Sequence, residues 1–87
     1  MLTSVYLPKV KQFAGTPFYD SPKVEIDFGT EMTEVPIASN TDMFHGCTGV
    51  KCYIPDSDDL EEKWRIAKVW KDMIANGTVV LIRNKQQ

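Results

Sequence analysis

Apolar residues recur at helical spacing through residues 58–76, DDLEEKWRIAKVWKDMIAN. Leu60, Trp64, Ala67 and Ile74 take one broad side, with Ile66, Trp70 and Met73 flanking them. Glu61, Arg65, Lys68 and Asp72 take the other side, as in a helix that buries one face. Glu61 and Arg65 stand at the favourable four-residue spacing for an ion pair. Pro55 precedes the segment, any of Asp56, Ser57 and Asp58 can cap it, and Asp58 with Glu61 has the spacing of a capping box. Carboxylates in the first turn suit the helix dipole. Gly77 sits where a left-handed C-terminal cap is wanted. The pattern predicts one long helix.

Around it lie strand signals. Residues 78–83, TVVLIR, are β-branched and almost entirely apolar, which fits a central strand covered on both faces or one covered by the helix. Residues 23–28, KVEIDF, alternate, with Val24, Ile26 and Phe28 sharing a face. Segments 35–39 and 50–54 are shorter candidates, and Pro36 marks the first of these as an edge. Segment 4–11 carries Pro8 and reads as an edge strand or extended arm. Residues 12–22, QFAGTPFYDSP, place Phe13, Phe18 and Tyr19 among Gly and Pro, as in an ordered loop. Such aromatics either tuck under a sheet or form exposed interface anchors. Residues 29–34, GTEMTE, read as a hairpin connection with Met32 facing the core.

The order predicts a single α+β domain over residues 1–87. It has a small, mostly antiparallel sheet of four to five strands, one long helix packed on one face in the C-terminal half, and a final strand after that helix. A chain of 87 residues has room for one core and none for a deep cleft walled by a second domain.

Composition changes this picture little: 43% hydrophobic and 25% charged residues are ordinary for a globular chain. The formal net charge is −2, and Lys9, Lys11, Lys23, Lys51, Lys63, Lys68, Lys71 and Lys85 are scattered. Nothing here forms the basic face that phosphate binding requires, so nucleic acid is not the expected partner. The acidic excess is equally too small for a DNA mimic. The N-terminal stretch lacks a charged leader followed by an apolar run, and no stretch approaches membrane-spanning length. A cytoplasmic protein is the expectation, with Cys47 and Cys52 as reduced thiols.

Candidate chemistry concentrates in residues 42–52, DMFHGCTGVKC, which hold the chain's single histidine and both cysteines. His45 and Cys47 share a face of an extended segment, and Gly49 could turn Cys52 toward them. A structural zinc site needs four ligands and a catalytic one three plus water, and the familiar spacings are absent. A Cys–His nucleophile supported by Asp42 has the residue types but no helix N-terminus to lower a thiol pKa. A turn around Gly46 and Gly49, with Cys52 facing inward, is the simpler reading. If oxidised, the two cysteines would close a short loop with a structural bridge.

The second cluster is Asp56, Asp58, Asp59, Glu61 and Glu62. Asp56 and Asp58 imitate the first donors of a calcium loop, but Leu60 and Glu61 break the pattern. Helix capping explains most of this cluster, and an acidic patch for a basic partner is the functional alternative. Glycine-rich phosphate loops, hydrolase triads and metalloprotease motifs are absent.

These residues together predict a small, non-catalytic protein-binding module without a cofactor. It would act on a larger protein as an inhibitor or adaptor of the kind phages and other mobile elements encode. Its contacts would be Asp56, Asp58, Asp59, Glu61, Glu62, Phe18 and Tyr19. The alternatives are a metal- or thiol-dependent function at His45, Cys47 and Cys52, or a structural subunit of an assembly. A homodimer paired through the edge segment 4–11 is a further option.

Overall fold

The computed structural model describes residues 4–13, 24–38, 44 and 47–84. Its elements run β1 (Ser4–Tyr6), β2 (Gln12–Phe13), β3 (Glu25–Asp27), β4 (Ile37–Ala38), β5 (Val50–Pro55), α1 (Asp58–Ile66), α2 (Trp70–Ala75) and β6 (Val79–Asn84). Strands β1, β3, β5 and β6 form one sheet in that spatial order, while β2 and β4 form a separate two-stranded ladder. Every pairing among the described residues is parallel.

The fold is α+β, but the mostly antiparallel sheet expected from the sequence is overturned. The reason lies in the connections. Between neighbouring strands of the main sheet the chain runs from Tyr6 to Glu25, from Asp27 to Val50 and from Pro55 to Val79. Each stretch exceeds the dozen or so residues that a parallel crossover needs, and a hairpin needs only about two to five. Residues 29–34 are therefore no hairpin: β3 pairs with β1 and β5, and the chain passes on to β4 in the other ladder. Strand β1 takes the edge that Pro8 suggested. Strand β6 is the opposite edge rather than a central strand.

The single long helix is also corrected. On a continuous helix Trp64 and Trp70, six residues apart, would point about 120° away from each other. The chain breaks instead between α1 and α2. Ala67 turns extended, at φ −64° and ψ 140°. Val69 sits at φ 73° and ψ −50°, an unfavourable conformation for a β-branched residue. The new direction brings the two indoles together, with centroids 5.4 Å apart and near-perpendicular rings. Trp70 Nε1 then donates to the Pro36 carbonyl at 2.7 Å. Ile66, expected to flank the apolar side, is left 70% exposed.

Cap chemistry is otherwise local and follows the sequence. Ser57 caps α1, its hydroxyl accepting from the Leu60 amide at 3.2 Å. Glu61 is thereby released from the capping box and turns outward. Gly77 adopts φ 85° after α2, where only glycine is comfortable.

Alternation assigns the two faces of the main sheet. Val24, Ile26 and Phe28 on β3 and its flanks, Val50, Cys52 and Ile54 on β5, and Val79 on β6 are buried. Against them pack Leu60, Trp64, Trp70 and Met73 from the helices and Phe13 from β2. Phe28 belongs to the aromatic group, 4.9 Å from Trp64 and 6.2 Å from Phe13 between centroids. Phe13 is therefore core rather than an interface anchor. Helices and the small ladder cover this face only. The opposite face carries Ser4, Tyr6, Glu25, Asp27, Lys51, Tyr53, Val80, Ile82 and Asn84, none of them buried.

Candidate functional site

Parallel registration turns alternation into rows. Tyr6, Asp27, Tyr53 and Ile82 stand side by side across the open face, and Ser4, Glu25, Lys51 and Val80 form the row beneath. The first row lies toward the carboxyl ends of the strands, where open sheets of parallel strands commonly bind their ligands. A shallow depression of about 560 Å³ occupies this end, lined chiefly by Tyr6, Glu25, Asp27, Tyr53 and Asn84.

The basin's polar groups are held in place by local chemistry. Asp27 closes a turn after β3, its Oδ1 accepting from the Gly29 amide at 2.8 Å. Gly29 has φ 78°, and a side chain there would meet the Tyr6 hydroxyl and Pro8 at 3.4 Å. The positive φ favours glycine here, and a Cβ would sit in ordinary contact with Tyr6 and Pro8. Asn84 reaches over the end of β5, and its Nδ2 donates to Asp27 Oδ1 at 2.8 Å and to the Gly29 carbonyl at 3.0 Å. The Tyr53 hydroxyl donates to Glu25 Oε1 at 3.1 Å. That bond, chiefly, pushes the Tyr53 phenol above its usual range, because ionising it would place a second anion beside Glu25.

The residues singled out in the sequence fall elsewhere. Asp56, Asp58 and Glu61 converge on Arg83, at 3.2, 2.6 and 2.7 Å. Glu61 also accepts from Arg65 at 2.9 Å, and Asp59 pairs with Lys63 at 3.1 Å. The acidic start of α1 is thus largely compensated by the chain's own cations, and Glu62 alone of the five has no ion pair among the described residues. Hydrogen bonds from Arg83 first, and from Arg65 second, hold the Glu61 carboxyl below the usual carboxylate range. Phe18 and Tyr19, and with them His45 and Asp42, lie outside the described residues.

Both cysteines are buried, and neither forms a disulfide. Cys52 lies in the middle of β5 with 0% exposure. Burial pushes its thiol up to about 12, so near neutral pH it carries a proton and is a poor nucleophile. Among the described residues no three metal-ligating side chains gather. The basin residues escaped sequence reasoning although one signal existed: Glu25 and Asp27, like Lys51 and Tyr53, are the polar members of alternating strands. Their grouping needed the parallel register.

Arg83 offers a direct test of the helix-start cluster. Arg83→Met keeps much of the stem but leaves Asp56, Asp58 and Glu61 facing one another. The variant should melt below the parent at neutral pH. Because the Glu61 carboxyl is lowered in the folded state, its contribution is present above about 4.3, the ordinary glutamate value, and disappears as pH falls through its lowered value. The melting gap should therefore close on acidification; a gap independent of pH would mean that Arg83 acts through packing of its stem.

Among the described residues no helix is long and apolar enough to cross a membrane. The chain matches no family model, and no curated protein or solved structure shows significant similarity to it.

Proposed function

We propose that the protein is a non-catalytic module that binds a larger protein, with the open face of the main sheet as its contact surface. The observation that supports this reading is the face itself, over which no described element packs. Sheets made only of parallel strands are normally covered on both sides. Here one side is covered by helices and aromatic rings, while the other presents Tyr6 at 65% exposure and Val80 at 45%. Tyrosine is among the residue types enriched at interface hot spots. The acidic start of α1 is the weaker surface, since Arg83, Arg65 and Lys63 already answer most of its charge. Cysteines outside any disulfide fit a reducing compartment.

The test compares capture by the tagged wild-type protein with capture by Tyr6→Ser and Val80→Asp variants whose melting curves match the parent. A near-stoichiometric protein retained by the wild type and lost from both variants is the expected result. Retention unaffected by either change would remove the open face from the reading. Sedimentation of the pure protein as a dimer that Val80→Asp dissociates would assign the face to self-association instead.

A further inference from the structure

We propose that the basin between Tyr6 and Tyr53 receives the cationic head of an arginine or lysine side chain presented by the protein partner. This deepens the protein-binding reading above and rests on it. The argument begins with what the basin has left to offer. Three of its donors are already used, since the Gly29 amide and Asn84 Nδ2 both bond to Asp27 Oδ1 and the Tyr53 hydroxyl bonds to Glu25 Oε1, while the Tyr6 and Ser4 hydroxyls can each donate or accept. Asp27 Oδ2 and Glu25 Oε2 have no partner among the described residues. A ligand reaching the basin therefore meets two fixed carboxylates with spare acceptor oxygens, which suits a cationic donor and repels an anion.

A second observation is the contrast with the start of α1. There the chain supplies Arg83 to three carboxylates at once. Among the described residues no cation pairs with Glu25 or Asp27. Lys51 is beside Glu25 in register, yet forms no ion pair with it within 4.0 Å. Leaving two adjacent-row carboxylates without a cation, on a face that is otherwise open, leaves a place for one from outside.

The third observation is aromatic. Tyr6 and Tyr53 flank Asp27 on the two neighbouring strands, roughly 10 Å apart at two strand spacings. A cation resting between them would gain attraction from the ring faces in addition to the carboxylates. Arginine is the better fit of the two, because its planar fork can bond two oxygens while its face lies on a ring. The depression of about 560 Å³ is roomy enough for such a side chain.

The experiment is an NMR titration of the full chain with N-acetyl-arginine amide, N-acetyl-lysine amide and the neutral isostere N-acetyl-citrulline amide. The two cations should shift the backbone resonances of Tyr6, Glu25, Asp27 and Tyr53 in a saturable, salt-sensitive way. Citrulline should bind at least about tenfold more weakly, as should the cations to a Glu25→Gln/Asp27→Asn double variant. That pair keeps the acceptors for Tyr53 and Gly29, and its melting curve confirms the fold. An equal response to citrulline, or shifts confined to Asp58, Asp59 and Glu62, would overturn the assignment. If the captured partner is lost from Val80→Asp but fully retained by the double variant, the binding module stands and the cation site falls.

Discussion

Trp70→Ala should lose about 3–5 kcal/mol of unfolding free energy, the usual range for truncating a buried tryptophan. For a chain of this length that is a large share of a total on the order of 4–13 kcal/mol. Three features place the loss at the upper end. Trp70 is 1% exposed, its ring touches those of Phe13, Phe28, Phe44 and Trp64, and its indole nitrogen donates to Pro36. It also tethers α2 to the segment before β4, so its removal loosens the connection between the two ladders. Urea unfolding followed by circular dichroism measures the effect.

A subtler comparison separates packing from hydrogen bonding. Trp70→Phe keeps an aromatic ring but leaves the buried Pro36 carbonyl without its donor, at about 1–3 kcal/mol. Trp64 Nε1 is buried without an acceptor among the described residues. Trp64→Phe therefore removes an unanswered donor along with some volume, and it should be the milder of the two changes. Equal or greater damage from Trp64→Phe would show that ring volume alone governs this core.

The second large effect is alkaline. Burial raises the Cys52 thiol from 9.0 to about 12. The neutral thiol keeps its proton in the folded protein at pH values where the unfolded chain has lost it. The contribution of this group is complete below about pH 9 and fades as pH rises toward 12, at up to about 1.4 kcal/mol for each pH unit. Tyr53, also raised, adds a loss of the same sign at the upper end of that window. Unfolding free energies taken across the window should fall steeply for the wild type and less steeply for Cys52→Ala. The variant starts lower at neutral pH because it carries a cavity, so the slopes are compared rather than the values. Parallel slopes would mean that Cys52 ionises as freely in the folded protein as in the unfolded chain.

Thiol chemistry near β5 shows how far spacing alone could lead. His45, Cys47 and Cys52 invite a metal or nucleophile because the residue types are right and close in sequence. Cys52, however, alternates in phase with Val50 and Ile54, and that phase already pointed it inward. Its neighbours in phase were the better guide than its neighbours in sequence. The acidic cluster teaches the converse. Asp56, Asp58 and Glu61 looked like an open patch because the cation that answers them, Arg83, is more than twenty residues away and belongs to another element.

What the sequence determined by itself is local: which residues alternate, where a helix begins after Ser57, where Gly77 ends it, and which side of each strand is apolar. Those features depend on φ/ψ preferences and on side chains within a few positions of each other. Only the tertiary structure decided how the strands pair. Alternation reads the same in parallel and antiparallel neighbours, and the choice fell to long connections that must cross back over one face. The break at Val69 is of the same kind. Helical periodicity favours one uninterrupted helix, but Trp64 and Trp70 can share a core only if the chain turns between them. The basin follows from both decisions, since Tyr6, Asp27 and Tyr53 become neighbours only when three distant strands run in the same direction and in register.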